Sequence, residues 1–361
     1  MKQKTHMKRR VGSERLLAEA GGIGMLTAGA VQAQRAMVES GTGVTANLFE
    51  TFHGFRVTRL ALGFRALDDG FLPEWLGSAW RGLLGHGLKD AICVTGLPAC
   101  KPCPLIDECP YPVLFEARPP AGASMLRPSA NAPGPYTLLA GPGGRVAQGD
   151  RLPLRLTLFG DHSRHAALLV KVLALGANEG LGERRLAFAL DRLAMIAADG
   201  AETELGLAGL KKSPRALQPL ASMPSCPEAV TIHFTTPLRL RVKNRYVAPE
   251  RLCFGDFFAH LLRRCSLLLQ FYQRADVDLD FRQWVDLAHG IGFTATDLGW
   301  HDQARRSSRQ QQLIPMGGVI GSARLEDPRL PLLWPLLWLG QWCQLGKGTS
   351  MGLGDYRLEA V

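Results

Sequence analysis

Four cysteines fall in one short, proline-containing stretch, CVTGLPACKPCPLIDEC, with the spacing C-x6-C-x2-C-x5-C: Cys93, Cys100, Cys103 and Cys109. Thiolates are soft ligands, and a CxxC pair with two more cysteines close in sequence can close a tetrahedral shell round one ion. The first reading is structural zinc. An iron–sulfur cluster also suits four thiolates and is the alternative. With all four positions taken by sulfur, such a metal would hold the fold and take no part in catalysis. The other cysteines, Cys226, Cys253, Cys265 and Cys343, are scattered and read as core or linker residues.

Proton transfer at a phosphate needs a histidine, tyrosine or lysine beside it. His86 and Lys89 stand three apart in WRGLLGHGLKD and share one helix face, with Trp80, Leu83, Leu84 and Leu88 on the buried side. His301 is the second candidate, because it immediately precedes the basic run Arg305, Arg306 and Arg309, whose nearest acidic neighbour is Asp302. Guanidinium forks of that kind suit phosphates. The ordinary alternatives are a half-exposed surface histidine and a solvated basic loop. Near the C-terminus, Gly346, Gly348, Gly352 and Gly354 surround Lys347, Thr349 and Ser350. Glycines let the chain turn tightly and can present bare N–H groups to a phosphate, although a helix cap and turn is the commoner use. A nucleotide P-loop fits poorly, since Gly348 follows the lysine and a helix, not a strand, comes before.

The elements that must carry these groups repeat once. In the second half, a strand over Val230–Val242 is followed by a helix over Phe254–Tyr272. A hairpin then forms from Phe293–Trp300 and Ile314–Leu325, a helix spans Leu330–Leu345, and Thr349–Leu358 closes the sheet. That order, βαββαβ, is the ferredoxin-like split. The first half reads as a strand over Phe55–Phe64, a helix over Leu72–Ile92 and a strand over Leu152–Phe159. A helix over Ala166–Leu175 follows, then Gly180-Leu181-Gly182 and a strand over Leu186–Ile196. The fold class is therefore α+β: tandem ferredoxin-like domains with a cysteine-rich insertion over 93–112. The Pro- and Gly-rich segment Ala121–Gly149 reads as a surface loop. The expected division is a basic extension over 1–50, a first domain over 51–215 and a second over 216–361.

A chain of 361 residues with 46% hydrophobic residues and a mean hydropathy near zero has room for two such cores. Its net charge of +10 favours nucleic acid or another anionic surface as partner. The longest apolar run, Leu330–Leu339, is short and carries Pro331 and Pro335, so no membrane span is expected. The first fifty residues have a basic head and a Gly/Ala-rich stretch ending AVQA, but Glu14 and Glu19 interrupt the apolar region, which argues against a signal peptide and for a cytoplasmic protein.

With these motifs in place, the chain resembles the Cas6 family of CRISPR endoribonucleases. The similarity rests on GKGTSMGLG at the C-terminus, RRSSRQ followed by PMGG, the TTPLR strand, the Gly-Leu-Gly at 180–182, and the cysteine cluster leading to Tyr111 and Leu114-Phe115-Glu116. It runs from about Phe55 to Arg357. What the resemblance implies is a pair of ferredoxin-like domains that bind CRISPR repeat RNA and cut precursor crRNA without a metal. The RNA's 2′-hydroxyl would attack the adjacent phosphate and leave a 2′,3′-cyclic phosphate and a 5′-hydroxyl. It also implies a catalytic side chain near the first helix, the position of His86, and other Cas effector subunits as partners. Two other readings stay open: a non-catalytic subunit that holds processed crRNA, and a metal- or redox-sensing regulator that binds nucleic acid, for which no helix-turn-helix stands out.

Overall fold

Asn47 caps the first short helix, α1 (Leu48–Phe52), by accepting from the Phe49 N–H at 2.8 Å, and the chain then enters β1 (Val57–Ala66). The computed structural model describes residues 47–116, 132–206, 216–307 and 312–361, and apart from Pro224–Cys226 these belong to one compact unit. β1 is buried on both faces for most of its length, as a central strand must be. The sequence predicts one helix from Leu72 to Ile92. Instead, β2 (Gly70–Trp75) takes the first residues and α2 begins at Gly77 (Gly77–Ile92). Pro73 explains the difference, since proline has no N–H for a helix interior and is tolerated in an edge ribbon.

A short helix, α3 (Pro110–Leu114), follows the cysteine segment, and then come β3 (Tyr136–Ala140) and β4 (Pro142–Val146). Both strands lie in the stretch read from sequence as loop. β3 holds Tyr136 and Leu138 in the core, while the surrounding prolines and glycines disguise its alternation. β4 pairs with β2. β5 (Arg151–Phe159), α4 (Ala166–Glu179), β6 (Phe188–Ile196) and β7 (Glu202–Glu204) complete this half. The sheet order is β3-β5-β1-β6-β7, with Val57 opposite Phe159 and Leu60 opposite Met195.

The second half starts with β8 (Ala229–Leu238) and a small ribbon of β9 (Arg241–Val242) and β10 (Arg245–Tyr246). The long helix α5 (Phe254–Gln273) and a helix unforeseen from sequence, α6 (Phe281–His289), come next. β11 (Ala295–His301) pairs with β14 (Gly318–Glu326), and a separate ribbon of β12 (Ala304–Ser307) and β13 (Gln312–Pro315) extends between them. α7 (Leu330–Gly340) stops five residues before Leu345, the predicted end, and β15 (Tyr356–Ala360) closes the sheet in the order β11-β14-β8-β15. Gly340 lets α7 press onto the strand below: a Cβ there would sit 2.0 Å from Tyr356 Oη. Both sheets thus run second-third-first-fourth, which is the ferredoxin-like arrangement twice over. No helix among the described residues is long and apolar enough to cross a membrane.

Asp355 ties the halves together. It is 2% exposed, ion-paired to Arg155 of β5, and accepts from Thr235 Oγ1 of β8 at 2.7 Å. Arg59 of β1 likewise reaches Gln341 O at 2.8 Å and stacks on the Trp342 ring at 3.9 Å. Burial, then the nearby Arg155, lowers its pKa to about 9.

Candidate nucleic-acid interface

A cleft of about 690 Å³ opens between α2, α3 and β3 of the first half and α5 and the C-terminal glycine loop of the second. Among the described residues, Arg81, Arg239, Arg241, Arg263, Arg264 and Lys347 line it, against a single lining carboxylate, Glu116. Charge so unbalanced in a concave site focuses positive potential on anything that enters.

Two of these arginines are nine-tenths buried. Arg264, 9% exposed, donates from Nε to Cys343 O at 2.9 Å while its Nη2 has no acceptor. Arg239, 7% exposed, donates from Nη1 to Pro315 O at 2.9 Å and lies 4.5 Å over the Tyr246 ring, while its Nε has no acceptor. Neither forms an ion pair among the described residues. Desolvation lowers the pKa of Arg264. A buried cation with no counter-ion is costly, and a phosphate oxygen is the ligand that best offsets the cost through charge-assisted hydrogen bonds.

The glycine loop forms one wall. Gly346, Gly348, Gly352 and Gly354 all have φ between 74° and 92°, the left-handed region that glycine adopts without strain. Close approach also demands them: a Cβ on Gly354 would sit 1.7 Å from Leu345 O. The loop is anchored by Lys347 N–H to Arg239 O at 3.0 Å and Gly354 N–H to Pro237 O at 3.1 Å. It closes on itself through Met351 N–H to Gly348 O at 2.8 Å and Leu353 N–H to Gly348 O at 3.3 Å. Most of its amides therefore hold the loop's own shape. Gly348, Thr349 and Ser350 open the 3-10 turn and line the cleft, so donors toward an anion come from this corner. Arg81 Nε donates to Ser350 Oγ at 3.1 Å and couples the loop to α2.

His260 lies in the same cleft, on α5. Its Nδ1 is 2.8 Å from Asp256 O and its Nε2 is 3.2 Å from Arg241 O. A neutral ring donating from Nδ1 carries a lone pair at Nε2, which a carbonyl cannot satisfy and a hydroxyl can. Tyr136 also lines the cleft, with its hydroxyl buried and unpartnered, and burial pushes its pKa up to about 12. Sequence reasoning missed His260, Arg239, Arg263 and Arg264. The three on α5 had a signal, a polar stripe with Asp256 at helical spacing on a mostly apolar helix, whereas Arg239 follows directly on β8 with none of its own.

The sequence-predicted residues are spread over several places. Gly346, Lys347, Gly348, Thr349 and Ser350 are at the cleft. Arg305 and Arg306 are on β12, whose partner strand β13 ends at Pro315, the residue that accepts from Arg239. Arg309 lies outside the described residues. His86 is an exposed residue of α2 and His301 the exposed last residue of β11, and neither lines the cleft. Lys89 Nζ donates to Leu97 O at 3.0 Å and Pro98 O at 3.2 Å, so it holds the cysteine segment. The four cysteines line a second, smaller pocket of about 190 Å³. Among the described residues no three His, Cys, Asp or Glu side chains are grouped tightly enough to hold an ion, so the predicted four-thiolate shell is not assembled by the chain alone.

The model of the CRISPR-associated endoribonuclease Cas6 matches residues 232–356, the half that supplies the glycine loop, His260 and five of the six cations. That stretch carries a Cas6 endoribonuclease domain. The AF_1859_N N-terminal domain matches residues 55–214. An uncharacterized protein of Archaeoglobus fulgidus is 25% identical over 311 residues, covering 80% of this chain and 93% of that protein. The Cas6 fold is seen again in a Cas6 product complex from Thermus thermophilus, at 19% identity and a TM-score of 0.52, covering 84% of this chain and 99% of the other. A partial Cas6-RT-Cas1–Cas2 complex matches at 14% identity and a TM-score of 0.54 over 85% of this chain. This chain spans 46% of the matched chain there and 29% of that in a second such complex.

Proposed function

We propose that this chain is a Cas6-family protein that processes CRISPR RNA, gripping a repeat in the basic cleft and cutting it by attack of the RNA's own 2′-hydroxyl. The observation that carries the reading is the pair of buried, unpaired arginines, Arg239 and Arg264, beside the glycine loop. Those cations hold the scissile phosphate, and Lys347 and the corner Gly348–Ser350 orient it. Positioning of this kind turns an internal hydroxyl into an effective nucleophile.

His260 Nε2 takes the proton from the 2′-hydroxyl as its oxygen bonds to phosphorus. The imidazolium that forms donates to Asp256 O and Arg241 O together, so the charged ring is held by two carbonyls. The 5′-oxygen leaves with a proton, for which the Lys347 ammonium is the donor in the loop, and the products are a 2′,3′-cyclic phosphate and a 5′-hydroxyl. The cleft cations stabilise the crowded phosphate in between. The scheme assigns no step to a metal. Because the matched Cas6 complexes include a product complex and assemblies with Cas1 and Cas2, we extend the proposal to product retention and to other Cas proteins as partners.

Single-turnover cleavage of a repeat RNA tests this. His260→Ala is expected to slow it by about 10²- to 10⁴-fold, the usual contribution of a general acid or base, with affinity nearly unchanged. EDTA should leave the rate intact, and RNA with 2′-deoxy before the cut should bind and stay whole. Loss of that size in His86→Ala or His301→Ala, with His260→Ala near wild type, would move the proton step to those residues.

A further inference from the structure

The segment 93–109 has no buried residue; its least exposed positions are Leu97, Ile106 and the four cysteines themselves, and Val94 is 83% exposed. Cysteine is ordinarily among the most buried residue types, and a segment with no apolar core of its own needs a cross-link to hold one shape. All four thiols nevertheless face the same small pocket. Tight turns set them there: Cys103 N–H donates to Cys100 O at 2.9 Å and Cys109 N–H to Leu105 O at 2.9 Å. Thr95 Oγ1 bridges two of the sulfurs, 3.8 Å from Cys93 Sγ and 3.6 Å from Cys103 Sγ.

We propose that Cys93, Cys100, Cys103 and Cys109 bind one zinc ion, and that binding it fixes the α3 wall of the nucleic-acid cleft. The sulfurs surround the pocket without closing on one point, so the ion draws the last few ångströms of the loop together as it binds, the usual coupling of metal to folding. Four thiolates with no open position suit zinc in a structural role.

The route from pocket to cleft is continuous. Cys109 is the residue before α3, and α3 leads directly to Phe115 and Glu116 at the cleft. Phe115 packs on Gly85, where a Cβ would come within 2.0 Å of its ring. The Arg81 guanidinium stacks on the Phe115 ring at 4.2 Å, donates to Phe115 O at 3.3 Å, and reaches Ser350 Oγ of the glycine loop. Fixing Cys109 thus fixes Phe115, which fixes Arg81 against the loop. This second half of the proposal rests on reading the cleft as the RNA site, whereas the metal site itself does not.

The full chain is purified without chelator, and its metal is measured elementally and by mercurial titration of the thiols. About one zinc per chain is expected, released as four thiols react. Cleavage by Glu-C after Glu108 should speed up at least fivefold on zinc release, a readout independent of RNA. Binding of a 2′-deoxy repeat RNA should weaken at least fivefold, and Arg81→Ala should abolish that difference between loaded and depleted protein. Cys100→Ser with Cys103→Ser should bind no zinc; if that variant does not fold, wild-type protein depleted by the mercurial and checked by circular dichroism gives the same comparison. Free reaction of Cys93, Cys100, Cys103 and Cys109 with no metal present, even after zinc is added, would overturn the site. Iron with acid-labile sulfide would overturn zinc as its occupant. Zinc present with RNA affinity indifferent to its removal would overturn the coupling. Failure of the loaded protein to bind RNA at all would instead refute the functional reading and leave the metal site standing.

Discussion

The two halves place a glycine loop at the same point of the same topology, and only one of the loops is dressed for an anion. In the first half, Leu181 and Leu186 exchange hydrogen bonds at 2.8 and 3.1 Å, Leu181 is buried, and Arg185 turns back to Glu179. That loop is closed on itself. In the second half, the loop over Gly346–Gly354 docks on Arg239 O and Pro237 O and faces α2 and β3, in a cleft where, among the described residues, arginines greatly outnumber the one carboxylate. Buried bases differ in the same direction. The first half holds His162 against the Tyr272 ring with burial pressing it neutral, and its one arginine buried to the same degree among the described residues, Arg59, is turned onto Gln341 O and the Trp342 ring, whereas Arg264 and Arg239 of the second half line the cleft. The fold fixes where a loop goes; unpaired charge around it decides whether it binds.

The largest contrast to test is in those buried bases. Burial, with His165 and Arg164 nearby, lowers the pKa of His162 to about 4. Its folded value therefore lies below its unfolded one, near 6.5. Above pH 6.5 the ring is neutral in both states and full stability is present. As pH falls from 6.5 to 4, the unfolded chain gains a proton that the native state refuses, and stability drops by about 3 kcal/mol in all. Denaturant unfolding across that window should show the fall in wild type and a much shallower one in His162→Gln.

Next in size are the glycines. Gly354→Ala and Gly180→Ala both force a side chain into left-handed backbone and against a carbonyl, at 1.7 and 2.5 Å. Each should cost about 2 kcal/mol or more by denaturant titration. Only Gly354→Ala should also weaken RNA binding in the protein that remains folded; equal binding losses would erase the distinction between the loops. Smallest in binding is Lys347→Ala, expected to reduce affinity several-fold and the salt slope by about 0.7, the share of one phosphate contact on a single strand, even though cleavage should slow further through loss of the proton donor.

Much of this was legible in the sequence. Hydrophobic period gave both central strands, β1 and β8, and the helices α4 and α5, because long elements with one buried side announce themselves. The glycine loop was legible from its composition. β3 was not, because prolines and glycines flank five residues whose strand character comes from pairing with β5. The cleft was legible only in part. Arg81, Tyr136, Arg239 and His260 are far apart in sequence and meet because the halves pack through Asp355 and Arg155, a tertiary event with no local signal. His86 drew attention by its place on the first helix, but the side chain from that helix that reaches the cleft is Arg81, nearly a turn and a half earlier.

On the proposed reading, Arg239 and Arg264 are the two buried cations that hold phosphate. Binding of a 2′-deoxy repeat RNA, measured across a salt series for Arg239→Met and Arg264→Met with Arg185→Met as the first-half control, tests it most directly. Each cleft substitution should weaken binding at least about tenfold, in line with loss of a charged hydrogen bond, and should shallow the salt slope, while thermal stability holds or rises because a desolvated charge is gone. Arg185→Met should change neither quantity. Unchanged affinity and slope in both cleft variants, or a binding loss matched by an equal loss in Arg185→Met, would contradict the account.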